Sequence, residues 1–356
     1  MKPATRLVLL AALLGAAFLL GIGLGSVGLS PARVVQALFA PASLDGTQLA
    51  NGISGNAVVS IVRIVRLPRI ITAIIAGAAL SVAGLHMQTL FRNPLAGPFV
   101  LGISSGASLG VALLILGGLG LGATGLVGGL PLLQSAGVAV AAVIGSGLVM
   151  LLVLLAARTL DSAAGLLLVG LLIGYVVSAL VSMLLHFSIA ERIQTYVQWT
   201  FGSFGAVTWS QLLIMCLALI PAVLLSVLNI PSLNAMLLGE TYARSMGVDV
   251  RAARIRIVLA TAILAGIVTA FCGPIGFIGI AVPHLARGLF GTHNHRITMP
   301  AAALLGSLVA ILADLASRLP GMDAVLPLNA VTALLGAPVV IAVILRRDRA
   351  SEDIGV

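Results

Sequence analysis

Three arginines in seven residues, Arg63, Arg66 and Arg69 of RIVRLPR, stand directly before a long apolar run. Guanidinium groups at such spacing either pair with carboxylates, often bidentately, or mark the side of a membrane on which a helix begins. Asp314 and Arg318 fall on one helical face, where an i,i+4 ion pair is the economical reading. Asp161 precedes an apolar run and is suited to cap its free N–H groups. His86 and His186, each near the end of an apolar segment, read as structural or interfacial groups. Cys216 and Cys272 lie in apolar surroundings without CxxC spacing, and imply neither a disulfide nor a metal.

Enzymatic chemistry has nothing to rest on. The chain contains no GxxxxGK[ST], HExxH or GxSxG pattern and no Cys/His cluster with metal spacing, so neither catalytic nor metal-binding residues are assigned. A chain of carboxylates within the apolar segments, as a proton relay would need, is likewise missing from the sequence. The most informative polar stretch is NIPSLNAMLLGETYARSMGVDVRAARIR, 229–256, which is too polar to span a membrane. Gly247 divides it into two helical pieces, Leu237 to Met246 and Val250 onward, and such a hairpin on a membrane surface makes a docking platform for a soluble partner.

The elements that must position these residues are transmembrane helices. Of 356 residues, 60% are hydrophobic and 8% charged, far from the roughly 25% charged of a soluble domain. Long apolar runs without two-residue alternation exclude barrel strands and leave an all-α polytopic bundle. Ten segments are expected, at 6–29, 64–90, 99–117, 132–157, 163–187, 207–228, 254–274, 277–290, 298–317 and 328–345. The first, longer than a signal-peptide core, reads as a retained helix, and Pro283 and Pro300 read as lying near segment ends. Residues 30–62, including DGTQLANGISGN, read as an exposed loop, and 229–253 as the polar interruption of the second half. Gly102, Gly106, Gly110, Gly170 and Gly174 have the spacing that lets helix backbones approach closely in lipid.

The net charge of +9 is not a nucleic-acid signature, because the basic residues sit between apolar runs. Ten crossings put both termini on one side, and the basic tail at Arg346, Arg347 and Arg349 identifies that side as cytoplasmic. Thirteen basic residues then lie inside and six outside, namely Arg33, Arg63, Arg66, Arg69, Arg192 and Arg318. Half of the outer set is RIVRLPR, against the general bias.

Four stretches, RLPRIITAIIAGAALSVAGLHMQTLFRNPLAGPFVLGISSGASLG, LLGETYARSMGV, GPIGFIGIAVPHLARGLFGTHNHR and LADLASRL…LPLNAVTALLGAPVVIAVILRR, resemble the FecCD/BtuC-type permease family of ABC importers for iron-siderophores, haem and vitamin B12. The resemblance covers residues 60–347 in order and implies a single permease domain over 1–356, of the type II importer fold. It implies a homodimer in the bacterial inner membrane, two cytoplasmic ATPase subunits that use ATP and Mg, and a periplasmic substrate-binding protein. This chain itself would bind no cofactor. Carried over by motif, Gly239, Glu240, Ala243, Met246 and Gly247 lie in the hairpin coupled to the ATPase. Ser162, Ala163 and Ala164 fall at the cytoplasmic gate, where some relatives have hydroxyl side chains. Arg66, Arg69 and the arginine matching Arg318 would dock the binding protein. Tyr175, Ser178, Ser182, Met183 and His186, near one face of the fifth helix, would line the path. An iron complex, siderophore or haem, is the expected cargo, and a corrinoid the alternative. An ATP-independent secondary transporter would need intramembrane ion sites that the sequence does not display.

Overall fold

A computed structural model describes residues 2–24, 34, 36–37, 55–117, 131–160, 162–318 and 325–352. Every regular element among the described residues is helical. We number the principal helices α1 (Pro3–Gly23), α2 (Leu67–Leu90), α3 (Ile103–Ile115), α4 (Pro131–Thr159), α5 (Ala163–His186), α6 (Ala190–Thr200), α7 (Trp209–Leu228), α8 (Ile230–Met236), α9 (Glu240–Ser245), α10 (Val250–Cys272), α11 (Ile278–Phe290), α12 (His295–Ala316) and α13 (Leu328–Glu352). Among the described residues, seven helical spans are long and apolar enough to cross a membrane, and three shorter apolar helices, Ile103–Ile115, Ile278–Phe290 and Leu328–Ala342, bring the number to the ten expected segments.

Several boundaries differ from the sequence reading. In the segment expected as a loop over 30–62, residues 30–33, 35 and 38–54 lie outside the described residues. Residues Gly55–Ser60 are instead helical and continue through a π-helical turn, Ile61–Arg66, into α2 without a break. Apolar Val58 and Val62, both buried, draw this extension onto the bundle. The 188–206 connection contains α6, whose half-polar sequence turns one side inward through buried Tyr196. Pro283 lies inside α11, and Pro300 inside α12, rather than at their ends.

Burial sorts the helices into layers. In α2 with its lead-in, α10 and α12, 72%, 67% and 56% of the apolar window is buried, against 22% in α1 and α5, so these three helices form the centre. The outer helices present leucines and valines such as Val8, Leu152, Leu172 and Leu224, as suits contact with lipid tails. Because lipid is as apolar as leucine, burying leucine supplies little attraction between helices there, and close backbone packing must supply it. A side-chain carbon at Gly77 would overlap the Gly306 carbonyl, and one at Gly84 the Gly279 carbonyl. Gly106, Gly110 and Gly145 interlock α3 and α4 in the same way, and Gly170 rests on Leu101, as close packing predicts. Gly174 makes only ordinary contacts, and Gly102 provides a left-handed turn (φ 74°).

The proline inside α11 fits this pattern. Pro283 has no N–H to offer the carbonyl four residues earlier, which is that of Gly279. This carbonyl is the one pressed against Gly84, where only a glycine Cα leaves room for it. The two thirteen-residue helices α3 and α11 each follow a long central helix through turns of positive φ, at Arg92 and Gly102 in one case and Gly273 and Phe277 in the other. Asn329, at the start of α13, accepts from the Gly276 amide at 3.0 Å and holds the second of these turns.

Replacing Gly84 by valine is expected to destabilise the detergent-solubilised protein by about 3 kcal/mol, the upper end for an overpacked core. Gly147→Ala, where nothing lies within 4 Å of the added carbon, is the matched control and should be neutral. Thermal unfolding followed by the monodisperse fraction separates the two.

Candidate functional site

The polar 229–256 stretch folds as a hairpin, but with different breaks from those read in the sequence. The expected piece Leu237 to Met246 is interrupted: α8 ends at Met236 and α9 begins at Glu240. Gly239 between them has φ 115°, open to glycine at no steric cost, and Gly247 beyond α9 has φ 81°. At this second turn the Val248 amide donates back to the Ala243 carbonyl and the Gly247 amide to Arg244, closing the end of α9. Asp249 then caps α10, accepting from the Ala252 amide at 3.0 Å.

The hairpin is attached at both of its helices. In α8, the Asn234 Oδ1 accepts from the His295 amide at 2.8 Å and lies 2.9 Å from His295 Nδ1. His295 Nε2 in turn lies 2.9 Å from the Thr89 hydroxyl, so α8 is tied through α12 to α2. In α9, both Glu240 carboxylate oxygens accept from Nη2 of Arg254, at 2.9 and 3.1 Å. Ala243 is fully buried beneath α9, whereas Leu238, Tyr242 and Met246 are more than half exposed on the other side. An open cleft of about 430 Å³ runs between Arg92 and the α9 residues Glu240, Thr241, Tyr242 and Ser245, with Leu238 and Gly239 at its end. The predicted residues Gly239, Glu240, Ala243, Met246 and Gly247 are thus brought together: two turns, one anchor, one packing contact and one outward-facing side chain. A protruding apolar and aromatic surface on a braced short helix is suited to seat in a protein cleft.

Ser162, Ala163 and Ala164 stand where α5 begins, at the hairpin end of the bundle. Asp161, expected as the cap of this helix, lies outside the described residues. The described cap is Ser162, whose Oγ accepts from the Gly165 amide at 3.0 Å. Along α5, Tyr175, Ser178, Ser182, Met183 and His186 are exposed in the single chain, while Val177 and Val181 turn into the bundle. Ser182 gives its hydroxyl to the Ser178 carbonyl at 2.9 Å.

On the opposite end, the three arginines of RIVRLPR have separate settings. Arg63 donates through Nε to the Ala37 carbonyl at 2.9 Å, and its own carbonyl accepts from Trp209 Nε1. Arg66 is buried and its Nη1 donates to the Ile22 and Gly23 carbonyls at 2.6 and 3.0 Å, the last of α1. Arg69 pairs through Nε with both oxygens of Asp314 at 2.8 and 3.1 Å. Arg318 pairs with the same carboxylate, as the i,i+4 spacing predicts. Asp314 is 2% exposed, while Arg69 and Arg318 keep 15% and 12% of their side chains at the surface. Two guanidinium groups share one carboxylate, so the cluster retains a positive charge facing outward. Burial is the larger influence on Arg318 and lowers its pKa, with Asp314 acting in the opposite sense.

Arg254 was not singled out by sequence reasoning, which treats it only as one inner-side charge. Fourteen residues and a positive-φ turn separate it from Glu240, and no helical spacing relates the two. His295 and Asn234, far apart in sequence, were missed for the same reason.

Comparison with known proteins gives a consistent answer. The sequence profile of the FecCD transport family matches residues 12–346. The vitamin B12 import system permease protein BtuC of Salmonella paratyphi A is 39% identical over 287 residues, covering 80% of this chain and 83% of that protein. The protein of the same description from Salmonella typhi is 38% identical over 285 residues, with the same coverage. A solved structure described as an inward-facing metal-chelate type ABC transporter superposes with a TM-score of 0.78 at 29% identity, covering 96% of this chain and 99% of its own. With this profile match and the helical bundle described above, the chain belongs to the FecCD transport family, as a multi-pass membrane permease of the ABC importer type.

Proposed function

We propose that two copies of this chain form the inner-membrane pathway of an importer for a large metal chelate, powered by two ATPase subunits on the hairpin side and supplied by a binding protein on the other. The observation that carries this reading is the hairpin. It is a short helix and its flanking turns, with Leu238, Tyr242 and Met246 exposed, Ala243 buried, and a carboxylate anchored to a buried arginine. A surface so braced transmits force, whereas a free loop would absorb it. ATP and its magnesium ion belong to the partner, and this chain carries the displacement.

The exposed α5 face, with Tyr175, Ser178, Ser182, Met183 and His186, supports a route along a two-fold axis, and Ser162, Ala163 and Ala164 stand where a gate at the inner end would close. Small residues there let two copies approach closely, as a seal without bulky side chains requires. This orientation places both termini in the cytoplasm, the side on which the hairpin meets its ATPase.

For the cargo, the resemblance favours an iron complex, siderophore or haem. The vitamin B12 permeases at 38–39% identity favour a corrinoid. Both are bulky chelates selected by the binding protein. Uptake into proteoliposomes holding the full transporter, measured with cyanocobalamin, haem and a ferric siderophore in turn, distinguishes them: the true cargo alone accumulates in an ATP-dependent way.

Binding-protein docking falls most naturally to Arg69 and Arg318, which combine surface exposure with surplus positive charge, while buried Arg66 holds α1 against α2. Arg69→Gln with Arg318→Gln is expected to weaken docking by about tenfold, one exposed charge-assisted pair or two, and to flatten its salt dependence. Equilibrium binding of the purified binding protein at two ionic strengths tests this, and undiminished affinity would remove both arginines from the interface. Glu240→Arg combined with Gly247→Pro is expected to abolish cargo-stimulated ATP hydrolysis, because proline cannot adopt the φ of 81° at that turn. Normal stimulation and uptake in that double variant would refute the hairpin's assignment.

A further inference from the structure

Arg254 lies in the second turn of α10 with 3% of its side chain exposed. Its Nη2 donates to Glu240 of α9, and its Nη1 donates to the carbonyl of Leu160 at 2.8 Å. Leu160 is the residue after the end of α4 and stands two positions before Ser162, where α5 starts. One turn earlier on α10, Arg251 donates through Nη2 to the carbonyl of Arg158. Two arginines three residues apart therefore grip the last carbonyls of α4, groups that have no helical donor and carry the negative end of the helix dipole.

The two attachments of Arg254 are joined by a rigid object. Both nitrogens belong to one planar, delocalised guanidinium, so no rotatable bond lies between the hairpin carboxylate and the α4 carbonyl. A displacement of Glu240 must move the Leu160 carbonyl, tear one of the two bonds, or swing the whole buried side chain. The last two are resisted by burial, since an unpartnered guanidinium away from water is costly.

We infer that Arg254 is a positioning residue that transmits movement of α9 to the start of α5, through its simultaneous bonds to the Glu240 carboxylate and the Leu160 carbonyl. The inference rests on the reading of the hairpin as the ATPase contact, and adds the residue by which that contact reaches the Ser162–Ala164 segment. Lysine at this position keeps the charge but offers a single point of attachment on a flexible stem, so it can hold either end of the link but not stiffly both. Glutamine removes the charge while leaving Glu240, partly exposed, able to be hydrated.

The test uses the complete transporter, permease with ATPase and binding protein in lipid nanodiscs, with Cys216 and Cys272 replaced by alanine. Spin labels at Arg244→Cys report α9 and labels at Leu168→Cys report the start of α5, each read as a distance between the two copies before and after trapping with ATP and vanadate. With Arg254 intact, both distances are expected to change. In R254K and in R254Q the α9 distance should still change while the α5 distance should not, and cargo moved per ATP hydrolysed should fall about tenfold, a typical coupling free energy. An α5 distance that follows trapping in both variants as it does with arginine would overturn the inference. Failure of both variants to assemble would overturn it too, assigning Arg254 to folding alone. Failure of the underlying hairpin reading looks different: the α9 distance would then be unresponsive even with Arg254 intact.

Discussion

A helix that ends within or at the edge of a membrane leaves carbonyl groups without donors, and there is little water to serve them. This protein answers that constraint repeatedly with arginine. Arg66 serves Ile22 and Gly23 at the end of α1, Arg6 serves Leu289 near the end of α11, Arg192 serves Leu116 beyond α3, and Arg251 with Arg254 serve Arg158 and Leu160 at the end of α4. Each guanidinium is attracted to the negative pole of the helix it terminates, and each carbonyl is given a charged donor. Arginines on the side opposite the hairpin thus have a structural reason to be there that the orientation rule does not supply. The same groups knit the bundle, since every one of these bonds joins separate elements.

Within the bundle, many hydroxyls are satisfied locally and backbones are brought close. Thr72, Ser81, Thr89, Thr261 and Thr269 return their hydroxyls to the carbonyl four residues back, so helices lined with hydroxyls remain internally paired. Ser307 lies within reach of both its own helix, at Ala303, and the Ile74 carbonyl of α2. Glycine contacts between α2 and α11 and between α2 and α12 leave no slack in the centre. A tightly packed centre of this kind shifts as a body, and the functional parts hang from it: the hairpin from α10 and α12, the start of α5 from the end of α4.

That division explains why α5 differs from its neighbours. It is among the least buried of the spans, packed chiefly on α3, where Val181 joins Ala107, Val111 and Ala112, and on the 98–101 turn, where Gly170 rests on Leu101. The central helices, interlocked through their backbones, are buried over far more of their surface.

The sequence by itself determined the class of protein, because composition and ten apolar segments leave no alternative to a helical membrane bundle, and four motif-bearing stretches pointed to its family. The Asp314–Arg318 pair and the close packing at Gly106, Gly110 and Gly170 were also legible, since both depend on spacing within a single helix. Which residues of two different helices meet was not. Arg69 joining Asp314, Asn234 holding His295, and Glu240 reaching Leu160 through Arg254 unite residues separated by anything from fourteen to 245 positions and carried on different helices, where a 3.6-residue period says nothing about contact. The breaks at Gly239 and inside the 30–62 segment also escaped periodicity, the first because one positive-φ glycine splits a continuous helical pattern, the second because burial of Val58 and Val62 extends a helix beyond its apolar core. Local rules act within about one turn of helix, and the charge of a buried arginine is settled only by what the tertiary structure places around it.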